Sequence, residues 1–342
     1  MGSSRPGVLV FGSINMDHLV RVRTLPAPGE TVLSRGYQST PGGKGRNQAV
    51  AVASVGGTVS IAGAVGDDPA GELLLADLDR SGVERSMVQI VADSPSGLAL
   101  ITVDAGGENT IVVHPGANSR ANPVRREAVD PAVYRVMLCS LEVPLPSVKA
   151  TLDVGRALGL ITVVNAAPVD AAADETLEAV LLGADVVIVN RSEAVALAQR
   201  LPQGSAEQDR AQQGRAEQDR VGRPGPAEGP EIPAERVAEA VAFWLRGEDR
   251  KSARLPTLIM TLGGEGAAYV DAGGAHHVPA YQVKVASAVG AGDAFAGVLC
   301  HALACGRRID ESVELASAAA AAHVSGGLSS TSLAEIIRRP VA

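Results

Sequence analysis

The chain has 342 residues, 46% of them hydrophobic, which is enough to fill a large core and excludes a chain disordered throughout. Its formal charge of −8 includes no long run of Lys or Arg, and aromatic residues make up only 2%, so a nucleic-acid track, an anionic-membrane surface and base-stacking platforms are all argued against. The partner expected is a small molecule, held by backbone and aliphatic walls, with no nucleic acid and no membrane.

The opening Met1-Gly2-Ser3-Ser4-Arg5-Pro6-Gly7 is too short and polar for a secretory signal, and no apolar run reaches the ~18 residues of a membrane span, so a cytoplasmic location is expected. Cys139, Cys300 and Cys305 lie in or beside apolar runs without zinc or disulfide spacing, and read as buried thiols in a reducing compartment.

Along the chain, Val8 to Phe11 reads as a first strand. His18 to Val22 and Thr31 to Leu33 read as two strands outside the main alternation, followed by a helix from Gly45 to Val55 that stops at Gly56-Gly57. Val59 to Ala62 is the next strand. Leu98 to Val103 and Thr110 to His114, joined by Asp104-Ala105-Gly106-Gly107-Glu108-Asn109, read as a hairpin. Further strands follow at Val136 to Leu141, Ile161 to Val164, Asp185 to Val189 and Thr257 to Leu262, with helices at Ala234 to Leu245 and Ala294 to Ala304. Strand alternating with helix predicts an α/β fold with a mostly parallel sheet covered on both faces, and the extra strands, within about 15–40 and 96–115, predict a small sheet that serves as a lid.

Residues 203–233 break the pattern. Gln203-Gly204-Ser205-Ala206-Glu207-Gln208-Asp209-Arg210 recurs as Gln213-Gly214-Arg215-Ala216-Glu217-Gln218-Asp219-Arg220 with one change, and a Pro- and Gly-rich tail follows. So polar a segment cannot bury enough apolar area to fold alone, and it reads as a mobile surface insertion in an otherwise single domain over 1–342.

Several strand ends carry groups capable of chemistry. Gly290-Ala291-Gly292-Asp293 opens a helix with small residues, whose free N–H groups suit an anion; Asp293 reads either as a helix N-cap or as a general base for an attacking hydroxyl. Pro41-Gly42-Gly43-Lys44-Gly45-Arg46-Asn47-Gln48 lacks P-loop spacing, and reads either as a tight turn or as a place where amides and Asn47 meet vicinal hydroxyls. Asn15 and Asp17, just after the first strand, are turn formers or hydroxyl ligands. Glu142, Asn165 and the run Asn190-Arg191-Ser192-Glu193 occupy equivalent strand ends; Glu193 either opposes a helix macrodipole or meets magnesium through water. The glycines of Thr261-Leu262-Gly263-Gly264-Glu265-Gly266 either admit nucleotide phosphates or make a hairpin.

Taken in order, Gly12-Ser13-Ile14-Asn15-Met16-Asp17, Gly42-Gly43-Lys44-Gly45 with Asn47-Gln48-Ala49, Gly66-Asp67-Asp68, Gly107-Glu108-Asn109 with Pro115-Gly116-Ala117-Asn118, and Gly290-Ala291-Gly292-Asp293 resemble the ribokinase-like (PfkB-type) carbohydrate kinases over nearly the whole chain. The resemblance implies a three-layer α/β/α sandwich with a β-sheet lid, and ATP-dependent phosphorylation of D-ribose at the 5-hydroxyl. Alternatives are another sugar or nucleoside kinase of the family (ketohexose, deoxyribose or adenosine) or a non-catalytic sugar- or nucleotide-binding regulator.

By the same resemblance Asp293 is the catalytic base and Gly290, Ala291 and Gly292 form the anion hole. Asn15, Asp17, Gly42, Gly43, Lys44, Asn47 and Glu142 hold the sugar. Asn190, Thr261, Gly263, Gly266, Ala318 and Ala322 lie along the nucleotide, Glu193 serves Mg2+ accompanying ATP, and the lid mediates a homodimer. Ser287-Ala288 stands where the family has Asp-Thr, and Gly326-Gly327-Leu328-Ser329-Ser330 departs from the family's Gly-Ala pattern. Ser287 therefore marks a degenerate monovalent-cation position, and weak dependence on K+ is expected. Asn165-Ala166-Ala167-Pro168 also lacks the first proline of the usual Asn-Pro-Ala-Pro.

Overall fold

A computed structural model describes residues 6–169, 175–198, 256–329 and 331–333. A nine-stranded sheet forms the centre. In chain order its strands are β1 (Gly7–Phe11), β4 (Val59–Gly66), β5 (Glu84–Val91), β8 (Tyr134–Ser140), β9 (Ile161–Asn165), β10 (Val186–Asn190), β11 (Thr257–Thr261), β12 (Ala267–Asp271) and β13 (Gly274–Val278). Its spatial order is β13-β12-β11-β10-β9-β8-β1-β4-β5, parallel from β11 to β5, with β12 and β13 antiparallel at one edge.

Side chains alternate across this sheet, so its inner strands feed two cores. Leu9 and Phe11 of β1 point to the face covered by α3 (Leu145–Ala157), α4 (Glu175–Leu182) and α5 (Arg191–Ala198), where Leu152, Leu181 and Leu197 are buried. Val8 and Val10 point to the other face. There α1 (Lys44–Ser54), α2 (Pro69–Arg80), α6 (Ala291–Ala304) and α7 (Ile309–Gly326) contribute Val52, Leu74, Leu299 and Val313. Burial of each such side chain contributes about 1.5–3 kcal/mol of transfer free energy, so both faces must stay covered and the layers number three.

The second sheet has the order β3-β2-β6-β7, built from β2 (Asn15–Arg21), β3 (Gly36–Gly42), β6 (Gly97–Val103) and β7 (Asn109–His114). The hairpin expected between Leu98 and His114 is β6 and β7, with Asp104 Oδ1 accepting from the N–H groups of Gly106 and Glu108. Thr31 to Leu33 is not a strand, and Leu33 is exposed. The strand beside β2 is Gly36–Gly42, although it contains Pro41; an edge strand tolerates the missing N–H. Cys139 and Cys300 are buried as expected, whereas Cys305 is exposed, because it caps the C-terminus of α6 where the helix leaves the core. The insertion at 203–233 and the helix expected over Ala234 to Leu245 lie outside the described residues. Among the described residues no helix is long and apolar enough to cross a membrane.

Candidate active site

The parallel strands end along one edge of the sheet, and the polar residues picked out by sequence meet there. Glycines set the geometry. A Cβ on Gly45 would lie 2.6 Å from the carbonyl carbon of Gly12, so the start of α1 presses directly on the exit of β1. Gly43, the N-cap of α1, has φ 88°, a left-handed conformation that glycine adopts without penalty. A Cβ on Gly297 would fall 2.5 Å from the Gln48 carbonyl oxygen, so α6 approaches α1 at this level.

That approach carries Asp293 to α1. Asn47 Nδ2 donates to Asp293 Oδ2 at 3.2 Å and Gln48 Nε2 donates to Oδ1 at 3.0 Å. Asp293 is therefore not the N-cap of α6; Gly290 is, with φ 81°. Burial raises the Asp293 carboxyl above its ordinary value, against the lowering effects of Lys44, Asn47 and Gln48, while Glu142 adds to the rise. Gly292 and Asp293 sit in the first turn of α6, where N–H groups have no carbonyl four residues back in the helix.

A cleft of about 780 Å³ opens between the small sheet and this edge, lined by Asn15, Asp17, Gly43, Lys44, Asn47, Glu142, Ser287, Gly290 and Asp293. Ala99, Ile101, Ile111 and Val113 of the small sheet form its apolar side. Gly42 is not on its wall but supports it, since a Cβ there would sit 2.0 Å from Asp17 Oδ2. Burial, with help from Glu142 and Asp293 and against Arg46, pushes Asp17 up to about 6, and its Oδ1 is buried with no hydrogen-bond partner. Lys44 loses hydration by burial, but Asp293, Glu142 and Glu193 outweigh this and raise its ammonium above the usual value.

On the far side of Gly290–Asp293 lies a second cleft of about 710 Å³, lined by Asn190, Thr261, Gly263, Gly266, Ala291 and Gly292 among others. Gly263 and Gly266 turn the β11–β12 hairpin and also bound this cleft. Asn190 and Glu193 bond reciprocally, each side chain accepting from the other's backbone N–H at 2.8 and 2.7 Å, which caps the start of α5. Glu193 still borders a smaller cavity shared with Lys44, Asn190, Thr261 and Asp293. Burial raises its carboxyl, partly offset by the Asn190 N–H and Lys44, while Asp293 adds to the rise.

Ala318 and Ala322 are not on the second cleft's wall. They pack with Tyr281, itself on that wall, while Ser317, Ala320, Ala321 and Val324 face the cleft, because the steps of three and four residues in a helix select that stripe.

Sequence reasoning did not assign five contributors. Ser13 Oγ donates to Glu142 Oε2 at 2.5 Å and accepts the Lys44 N–H at 3.0 Å. Buried Asn118 takes the Ile14 N–H and donates to Asn15 Oδ1 at 2.7 Å. Arg46 pairs with Asp77 and donates to Asn47 Oδ1, and Gln48 holds Asp293. Ser13, Arg46, Gln48 and Asn118 stand inside the motifs already singled out; nothing local marks Asp77.

The sequence model of the pfkB family carbohydrate kinases matches residues 5–221 and 241–336. The chain belongs to that family. This carbohydrate kinase is 29% identical over 322 residues to a ribokinase of Haemophilus influenzae, covering 94% of this chain and 92% of that one. It is 28% identical to a deoxyribokinase of Salmonella typhi, covering 86% and 84%. Among solved structures, a ribokinase of Cryptococcus neoformans in complex with ADP superposes with a TM-score of 0.73 at 28% identity, covering 98% of the kinase and 100% of that chain.

Proposed function

We propose that this kinase transfers the terminal phosphoryl group of ATP to the 5-hydroxyl of D-ribose. The observation that carries the reading is the position of Asp293, on the wall shared by the first cleft and the smaller cavity and held by Asn47 and Gln48 at the first turn of α6. From there its carboxylate takes the proton of the attacking hydroxyl, while the N–H groups of the Gly290–Gly292 turn stabilise charge on the transferring group. Lys44, beside Asp293, adds positive charge between the clefts.

Asn15, Asp17 and Asn47 hold the sugar hydroxyls. Asp17 Oδ1, buried without a partner, supplies an acceptor that a hydroxyl would satisfy. Glu142, fixed through Ser13, closes the same wall. The second cleft takes the nucleotide along Asn190, Thr261 and Gly263. Among the described residues no three His, Cys, Asp or Glu side chains cluster as metal ligands. Magnesium would be carried chiefly by the nucleotide phosphates, with Glu193 meeting it through water, and would supply charge neutralisation there. The small sheet serves as a lid, and its outward-facing Tyr37, Leu100 and Val112, all exposed, are the surface through which a homodimer would form.

The volume of the sugar-side cleft and its apolar Ile111 and Val113 favour a second reading, a nucleoside acceptor. A coupled assay of ADP release over pentoses, ketohexoses, deoxyribose and nucleosides separates the two. Highest kcat/KM for ribose supports the first; a clear preference for adenosine overturns it; nucleotide binding without turnover of any acceptor would indicate a regulator.

A further inference from the structure

An exposed segment leads into the anion-hole turn, and its polar tethers converge on the end of α7. The N–H groups of Ala286 and Ser287 donate to the Val324 carbonyl at 2.6 and 3.2 Å. His323 Nε2 lies 2.8 Å from the Val289 carbonyl oxygen. A carbonyl only accepts, so Nε2 carries the proton of that bond. The ring also lies against Gly290, where a Cβ would be 3.0 Å from Nε2; a side chain would crowd the imidazole as well as strain a backbone with φ 81°.

Position 287 is where the family pattern has the carboxylate of a monovalent-cation site, and the residues present do not fit such an ion. Ser287 offers a neutral hydroxyl, which accepts from the Val289 N–H at 3.4 Å. The Val289 carbonyl already accepts from His323.

We propose that His323 is a positioning residue for the anion hole: its Nε2–H bond to Val289 holds the Gly290 turn in register, so that the turn needs no bound potassium. Two independent contacts support this, the hydrogen bond and the ring packed on Gly290. The arrangement also couples the clefts, since Ser317, Ala320, Ala321 and Val324 of α7 line the nucleotide side. The inference rests on the phosphoryl-transfer reading given above.

The test compares His323→Leu, which fills similar space without a donor, with His323→Gln, whose amide N–H can reach the same carbonyl. The expected result is a roughly three- to tenfold fall in kcat for the Leu variant, the worth of one hydrogen bond, with sugar KM little changed and most of the rate kept by Gln. Wild-type kcat should vary less than about twofold in a potassium titration at fixed ionic strength, an effect below ~0.4 kcal/mol by the rate conversion. A readout free of turnover is long-range 1H–15N NMR of histidine-labelled protein, with the His323 signal assigned by its loss in the Gln variant; a ring protonated at Nε2 is expected. A soluble Leu variant with wild-type kcat, strong potassium activation of the wild type, or a neutral ring protonated only at Nδ1 would each overturn the proposal. Failure of the wild type to phosphorylate any acceptor would instead strike the proposed function and leave the NMR result to decide the contact.

Discussion

Nε2 of Gln48 donates a 3.0 Å hydrogen bond to Oδ1 of Asp293, across 245 residues of chain. Gln48 is fully buried, and its Oε1 has no partner. A buried amide that satisfies only its donor side is costly, so its retention is explained by what the donor holds.

Replacing Asp293 with Asn keeps the shape of the site and removes the base. Turnover should fall by ~10²–10⁴, about 3–5 kcal/mol of barrier, while sugar affinity measured by calorimetry changes little. A variant as fast as the wild type would remove Asp293 from the chemistry.

Gln48→Leu should act on the same group through its proton affinity. The Gln48 bond lowers the Asp293 pKa, so losing it leaves the opposing effect of burial less compensated and raises that pKa further. Because the base works ionised, the acid limb of the kcat/KM profile should move to higher pH in this variant. An unmoved limb, with only a stability loss by denaturant titration, would reduce Gln48 to packing.

Asp17 gives a second pH effect with a defined window. Its folded value of about 6 exceeds the ordinary value of 3.8, so the folded protein binds this proton more tightly than the unfolded chain. The group's contribution to stability is therefore most favourable below pH 3.8, falls as pH rises to about 6 and is flat above. Sugar binding should run the other way, because a hydroxyl donor is best met by the carboxylate: KM should rise as pH drops through about 6. In Asp17→Asn that inflection should vanish from the KM profile; its persistence would assign it to another group.

Gly42→Ala tests the support of that carboxylate. A Cβ at 42 would meet Asp17 Oδ2 at 2.0 Å, so the side chain must move. The expected outcome is a sugar KM raised roughly tenfold, equivalent to about 1.4 kcal/mol, with nucleotide KM unchanged. Equal losses for both substrates would point to general misfolding of the turn.

Much of this arrangement was legible in the sequence because the signals were local. Alternating β-branched runs marked β1, β4, β8, β9, β10 and β11, and the glycines around Lys44 marked where α1 presses on the exit of β1. Thr31 to Leu33 misled because a β-branched pair beside leucine looks locally like a strand, whereas the actual strand holds Pro41, which only its edge position makes tolerable. Ala318 and Ala322 misled for another reason: in a run of alanines nothing but the helix's actual rotation decides which side chains face the cleft. Capping by Asn190 and Glu193 was half-visible, the macrodipole reading having placed Glu193 in the first turn of α5 without its bond back to Asn190. Long-range pairs leave no such mark, and Asp77 is the clearest case.

Asp77 lies on α2, facing α1, and its Oδ2 accepts from both Nε and Nη2 of Arg46 at 2.9 and 2.7 Å, with the two side chains 13% and 17% exposed. The remaining guanidinium nitrogen, Nη1, donates to Asn47 Oδ1 at 3.1 Å. That bond fixes the amide so that its NH2 side faces Asp293, to which it donates. Arg46→Ala should therefore lower stability by about 1–3 kcal/mol in a denaturant titration, as a partly buried charged bond is lost and Asp77 is left with only the exposed Arg80 at 3.6 Å. It should also lower kcat, because the freed Asn47 amide can turn its oxygen toward the Asp293 carboxylate and repel it. Arg46→Lys separates the two effects: a single ammonium can pair with Asp77 but cannot fork to Asn47, so most of the stability should return while kcat stays depressed. Recovery of both by Lys would show that charge alone matters, and that Asn47 keeps its orientation without help.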